Sequence, residues 1–111
     1  MSRTKKVIVI DLDQSHQYQR LLAGKPQTHG MKSGKVYLSP EQDRGLHSTD
    51  DREELLVFLS GHGTLIIEGK DTFQIGKGKI SYIPPNTKHN IKNTGTEPLI
   101  YVYCVSPVTD P

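Results

Sequence analysis

HSTDDREELLVFLSG (residues 47–61) and GKISYIPPNTKHNIKN (residues 78–93) decide how this chain folds. In the first, His47 and Thr49 are two apart, so an extended backbone turns both to one face. The polar run 50–53 reads as a solvated turn, after which Glu54 heads a strand with Leu56 and Phe58 on its own face. Leu55, Val57 and Leu59 on the other face are also apolar, so this strand is expected to be covered on both sides. In the second stretch, Pro84 and Pro85 stiffen a turn, and His89 opens a strand whose alternate residues Ile91 and Asn93 follow it inward. Two imidazoles and a carboxylate can thus converge inside one barrel. His47, Glu54 and His89 are the candidate metal ligands, a 2-His-1-carboxylate set that leaves coordination positions open. Phe58, Ile91 and Tyr82 are the candidate cavity lining.

Further short apolar runs rich in Val, Ile, Tyr, Phe and Leu fill the chain at 7–12, 35–39, 54–59, 64–68, 80–83, 89–93 and 99–105. Turn residues separate them at 61–63, 68–71, 76–78 and 93–95. Only 14–22 offers a weak helical turn, and 23–33 reads as a mobile loop. Many short strands without a βαβ rhythm imply an all-β sandwich or barrel. Residues 1–34 are read as an N-terminal strand and loop that complete the barrel or a dimer, and 35–107 as the barrel core, within one domain.

The bulk composition fits a small single domain. A chain of 111 residues buries roughly 65% of its unfolded surface. Its apolar content of 33% requires the core to come from a few well-placed strands. A net charge of +2, from 14 basic and 12 acidic residues spread along the chain, argues for neither a nucleic-acid groove nor a membrane surface. The run 7–10 is too short for a secretory or membrane-spanning segment, so a cytoplasmic protein is expected. The single Cys104 excludes an internal disulfide and a thiolate-rich zinc site.

The two stretches closely resemble the paired motifs of the cupin superfamily. The first family motif ends in Glu, six residues and Gly, met here by Glu54 and Gly61; the second is Gly, five residues, P-x-G, two residues, His, three residues, Asn. Gly78, Pro84, His89 and Asn93 meet that spacing, and the resemblance runs from about Lys35 to Pro107. It implies a double-stranded β-helix, or jelly roll, of the small single-domain conserved-barrel type. It also implies one divalent metal ion (Fe, Mn, Ni or Zn) and a homodimer. Glu41 stands where the family has its first glycine, and Asn86 replaces the glycine of P-x-G. Asn tolerates the left-handed conformation better than most residues, so that turn can survive. Thr49 occupies the position of the family's usual second histidine. It is a possible fourth metal position or a plain structural hydroxyl, since an alcohol is a poor ligand for these ions.

The His47–Glu54–His89 cluster could be a hydrogen-bonded polar group without a metal, although a cation removes the cost of burying a carboxylate. His62 reads as a turn residue, His16 and His29 have no spacing partner, and Cys104 reads as a small core residue. Gly61-His62-Gly63 and Gly76-Lys77-Gly78 lack the third glycine and helix of a dinucleotide loop. The expected function is that of a metal-dependent enzyme of the dioxygenase, isomerase or lyase class acting on a small organic molecule. A non-catalytic module that binds a small ligand is the alternative. Fold and metal do not name the reaction.

Overall fold

The computed structural model describes residues 4–108. Its strands, in chain order, are β1 (Gln19–Ala23), β2 (Lys32–Leu38), β3 (His47–Ser48), β4 (Arg52–Ser60), β5 (His62–Ile67), β6 (Thr72–Gly76), β7 (Ile80–Ile83), β8 (Lys88–Lys92) and β9 (Leu99–Pro107). They form two antiparallel sheets, ordered β1-β2-β9-β4-β7 and β3-β8-β5-β6, with no helix among the described residues. This is the all-β jelly roll that the two motifs imply. The core lies between the sheets, where Val36, Leu38, Leu56, Phe58, Leu65, Ile75, Ile83, Ile91, Leu99 and Tyr101 are buried. Strand alternation supplies it: Glu54, Leu56 and Phe58 point inward from β4, opposite Val105, Tyr103 and Tyr101 of β9.

The residues that give the sequence its motif spacing hold the corners of this barrel. Asn93 is wholly buried; its amide nitrogen donates to the Leu38 and Glu97 carbonyls at 2.9 and 2.8 Å, and its side-chain oxygen accepts from Gly95 N. Gly61 turns β4 into β5 with φ 86°, and a Cβ there would collide with the Pro98 carbonyl oxygen. Glu41 and Asn86, which replace family glycines, both have left-handed backbones, with φ 73° and 56°. Both turns thus adopt a conformation that favours glycine with a side chain present.

The N-terminal part departs from expectation. Residues 7–12 form no strand, because β-branched side chains favour extension but a strand also needs a neighbouring ladder, and none is offered here. Ile8 lines a shallow hollow with Leu22 and Met31, whereas Val7 and Val9 are 95% and 90% exposed. The weak helical turn at 14–22 is also absent; β1 occupies its second half. Asp13 Oδ1 accepts from Ser15 N and Oγ, and Ser15 Oγ accepts from Gln17 N, a local network that competes with helix formation. The loop read at 23–33 is shorter than expected, since Lys32 and Ser33 already belong to β2. Strand β6 was missed because Thr72–Gly76 carries only two large apolar residues, Phe73 and Ile75.

The segment before β1 lies over the outer face of the larger sheet. Lys35 Nζ is buried there and donates to Asp13 Oδ1 at 2.7 Å and to the Asp13 carbonyl, while His16 stacks on Tyr37. The expected cover over the other half of this face does not come from the described part of the chain. Leu55, Leu59, Ile80 and Tyr82 remain exposed beside one another on β4 and β7.

Replacing Glu41 by glycine should stabilise the fold by about 1 kcal/mol, because it removes the left-handed penalty of an L side chain and adds back only glycine's unfolded-state freedom. Thermal unfolding of the purified variant should show a midpoint a few degrees above wild type. A lower midpoint would mean that the Glu41 side chain contributes more than its backbone costs.

Candidate metal centre

β3 and β8 pair so that His47 lies directly opposite His89. Their rings are 4.3 Å apart between centroids and tilted by 56°. Glu54, from β4 of the other sheet, reaches the same point, and the ligand atoms of all three residues lie within 4.8 Å of one another. The group therefore straddles the two sheets. Glu54 and His89 are buried, and His47 stands at the more open side.

Backbone carbonyls orient both imidazoles. His47 Nδ1 is 2.8 Å from the Gly45 carbonyl and His89 Nδ1 is 3.1 Å from the Thr87 carbonyl. A carbonyl can only accept, so each Nδ1 carries the proton in these contacts and each Nε2 is left with its lone pair. This is the arrangement in which histidine binds a metal through Nε2. His89 Nε2 lies 3.0 Å from Glu54 Oε1, yet both buried atoms lack a hydrogen bond. A lone pair facing a carboxylate oxygen at that distance is stabilised by a cation or a proton between them. Burial opposes the charged form of His89, but the Glu54 carboxylate and the Thr87 carbonyl outweigh it and hold the imidazole pKa above its ordinary value. The two buried acceptors fit a divalent ion.

Thr49 stands beside this group without joining it. Its hydroxyl donates to the Pro84 carbonyl at 2.8 Å and accepts from Thr87 N at 3.1 Å, while its own N–H reaches the Thr87 carbonyl. It ties the end of β3 to the turn that carries the Thr87 carbonyl, and so positions His89. Asn86 N donates to Asp50 O from the same turn.

A cavity of about 180 Å³ opens on the ligands, lined by Arg44, His47, Glu54, Ile91, Tyr101, Tyr103 and Val105. Of the expected lining, Ile91 is present. Phe58 lies deeper, buried against Tyr101 with ring centroids 5.4 Å apart. Tyr82 turns outward, because Ile83 is the residue of β7 that pairs with Glu54 and alternation sends its neighbour to the other face. There it is 60% exposed and donates to Glu53 Oε1. It lines a larger hollow of about 500 Å³ with Phe73 and Ile80, to which none of the three ligands contributes. Cys104 also faces outward, opposite Leu55, and burial together with the Glu54 charge raises its pKa. Burial pushes the Tyr101 phenol up, and burial with the Tyr18 hydrogen bond pushes Tyr103 up to about 12, so both stay protonated near neutrality.

Arg44 and Tyr103 were not singled out from the sequence. Tyr101, Tyr103 and Val105 share a strand face, a pattern readable by alternation once the inward register of β9 is known. Arg44 lies in the irregular stretch before β3 and gave no signal.

Comparison with known proteins identifies the family and the fold. The family model described as "Cupin domain" matches residues 34–106. An uncharacterized protein of Methanocaldococcus jannaschii, MJ1618, is 37% identical over 62 residues, covering 56% of this chain and 49% of that protein. A glucose-6-phosphate isomerase of Thermococcus kodakarensis is 33% identical over 60 residues, covering 50% of this chain and 32% of the isomerase. The chain thus matches about half or less of the length of these relatives. Among solved structures, a cupin protein of Bacteroides fragilis, BF4112, superposes with a TM-score of 0.77 at 19% identity, covering 97% of this chain and 90% of that one. At that identity the likeness concerns the fold.

The raised pKa of His89 has a defined consequence for metal-stripped protein. A group whose folded-state pKa is raised contributes stability below its unfolded value, and that contribution is lost as pH rises through the folded value. His89→Asn keeps a donor for the Thr87 carbonyl and removes the titration. Urea midpoints should therefore favour wild type over the variant most strongly near pH 5, and this margin should shrink toward pH 8. A margin that grows with pH would reverse the sign assigned to the Glu54–His89 contact.

Proposed function

The chain belongs to the cupin domain family, and on that premise we propose that it is a metal-dependent enzyme acting on a small organic molecule, with one divalent ion held by His47, Glu54 and His89. The observation that carries this reading is the pair of buried atoms, Glu54 Oε1 and His89 Nε2, that face each other without a hydrogen bond. Two neutral imidazoles and a carboxylate suit Fe, Mn, Ni or Zn, and three protein ligands leave positions for a substrate. A bound ion of this kind supplies Lewis-acid polarisation or, for iron, dioxygen chemistry.

The chain's own groups narrow what can happen beside the ion. Tyr101 and Tyr103 are protonated phenols, which donate hydrogen bonds and are poor bases near neutral pH. Ile91 from β8 and Val105 from β9 supply the apolar part of the lining. The isomerase relative supports an enzymatic role. The lining also favours a second reading, non-catalytic ligand capture, because it contains no lysine and no carboxylate besides Glu54 to serve as a general base. Turnover of any small hydroxy or carbonyl compound by metal-loaded protein separates the two.

Association belongs to the same proposal. The exposed apolar residues Leu55, Leu59, Ile80 and Tyr82, with the outward Val7 and Val9, support a homodimer closed over the outer face of the larger sheet. Light scattering at micromolar concentration should give twice the mass of one chain, and Leu55→Asp should shift it toward monomer. A wild type that scatters only as monomer removes the dimer from this reading.

Elemental analysis tests the metal directly. Wild-type protein should carry about one divalent ion per chain after dialysis, and His89→Ala should lose at least the ~10–100-fold in affinity typical of changes one shell further out. Thr49→Ala should retain metal better than His89→Ala, since its hydroxyl is engaged with Pro84 and Thr87. His89→Ala protein that holds metal at the wild-type level would refute the ligand assignment.

A further inference from the structure

The lining of the cavity includes an arginine that the metal reading does not use. Arg44 is fixed at its backbone by a hydrogen bond from its N–H to Ile91 O, on the strand that carries His89. Its guanidinium lies 5.6 Å from the centre of the Tyr18 ring, and its charge is felt by both Tyr101 and Tyr103. Among the described residues no carboxylate lies within ion-pair distance of it. Glu54 is the only acidic residue in the lining. With a divalent ion bound, Glu54 cancels one of its two charges, so the cavity is positive even before Arg44 is counted.

Phenolic hydrogen-bond donors line the same cavity. The Tyr18 and Tyr103 hydroxyls are hydrogen bonded to each other. Whichever donates, the other keeps a proton free to offer to a ligand. Tyr101, 1% exposed, has no protein hydrogen-bond partner for its hydroxyl among the described residues, and it lines the cavity. Gly34 makes room for this cluster, because a Cβ there would collide with the Tyr18 hydroxyl and come within 2.7 Å of the Tyr103 ring. At about 180 Å³ the space is smaller than the ~300–1,000 Å³ of sites for drug-sized molecules.

We infer that the molecule bound beside the metal is a small organic carboxylate, held by Arg44 and the phenols of Tyr101 and Tyr103, with a neighbouring oxygen at the open metal position. This rests on the metal reading above. A guanidinium fork matches the two oxygens of a carboxylate. Ile91 from β8 and Val105 from β9 supply the apolar part of a lining with few donors, which suits a flat acid group with a short apolar substituent better than a phosphate with oxygens on every side. Arg44 thereby becomes a specificity-determining residue.

Lactate and its neutral isostere lactamide test this on cobalt(II)-loaded protein, read by the visible absorption of the bound ion. Lactate should perturb the spectrum at concentrations ~10-fold or more below lactamide, the scale of one charge-assisted hydrogen-bond pair. Arg44→Gln should bind cobalt as wild type does but lose this preference, and Arg44→Lys should keep part of it. Equal half-saturation by the two compounds, or a preference unchanged in Arg44→Gln, overturns the carboxylate inference while leaving the metal site standing. A wild type that takes up no cobalt overturns the metal reading and this inference together.

Discussion

The pairing of His47 with His89 across the β3–β8 ladder is the constraint on which the rest of the cavity depends. Directly opposed residues in an antiparallel pair point to one face, so a single register brings two imidazoles together. β3 is only two residues long, and it is held by what flanks it more than by its own ladder. The Thr49 hydroxyl fastens its end to the Pro84–Thr87 turn, and Gly45, whose carbonyl orients His47, has its N–H bound by both Asp43 and Asn90. A slip of one residue would turn His47 away from His89 and leave Glu54 facing a single imidazole.

The motif residues fall into two physical groups. His47, Glu54 and His89 bring lone pairs and charge to one point, which is unfavourable for the buried Glu54 and His89 in an isolated chain. Gly61, Gly78 and Asn93 bring no chemistry. They turn the chain where a side chain would collide or a left-handed backbone is needed, and Asn93 satisfies carbonyls that the corner leaves without partners. The second group makes the first affordable by fixing the barrel before any ligand arrives. Glu41 and Asn86 show that this fixing tolerates a local cost, since both keep a left-handed backbone with a side chain present.

Most strands from β2 to β9, though not β6, were legible in the sequence from apolar alternation, and the meeting of His47, Glu54 and His89 followed from their spacing. The failures have distinct causes. Residues 7–12 carry strong β-propensity, but a strand is a relation between segments, and no neighbouring ladder is written into that stretch. At 14–22 the Asp13 and Ser15 side chains bond the local backbone, which a period-based reading does not register. Tyr82 was assigned to the wrong face because its orientation depends on the pairing of Ile83 with Glu54, not on its own segment. Arg44 reaches the cavity from irregular chain, where no periodicity predicts a direction.

Cys104 has a use unrelated to its packing. It is the sole thiol of the chain, half-buried on the sheet face turned away from His47, Glu54 and His89, and its raised pKa keeps it mostly as the unreactive thiol. A probe attached there under alkaline conditions would report on the outer sheet and leave the cavity chemically untouched. The protein thus carries a single built-in attachment point from which a fluorophore or spin label can sense motion of the barrel wall while the cavity is studied independently.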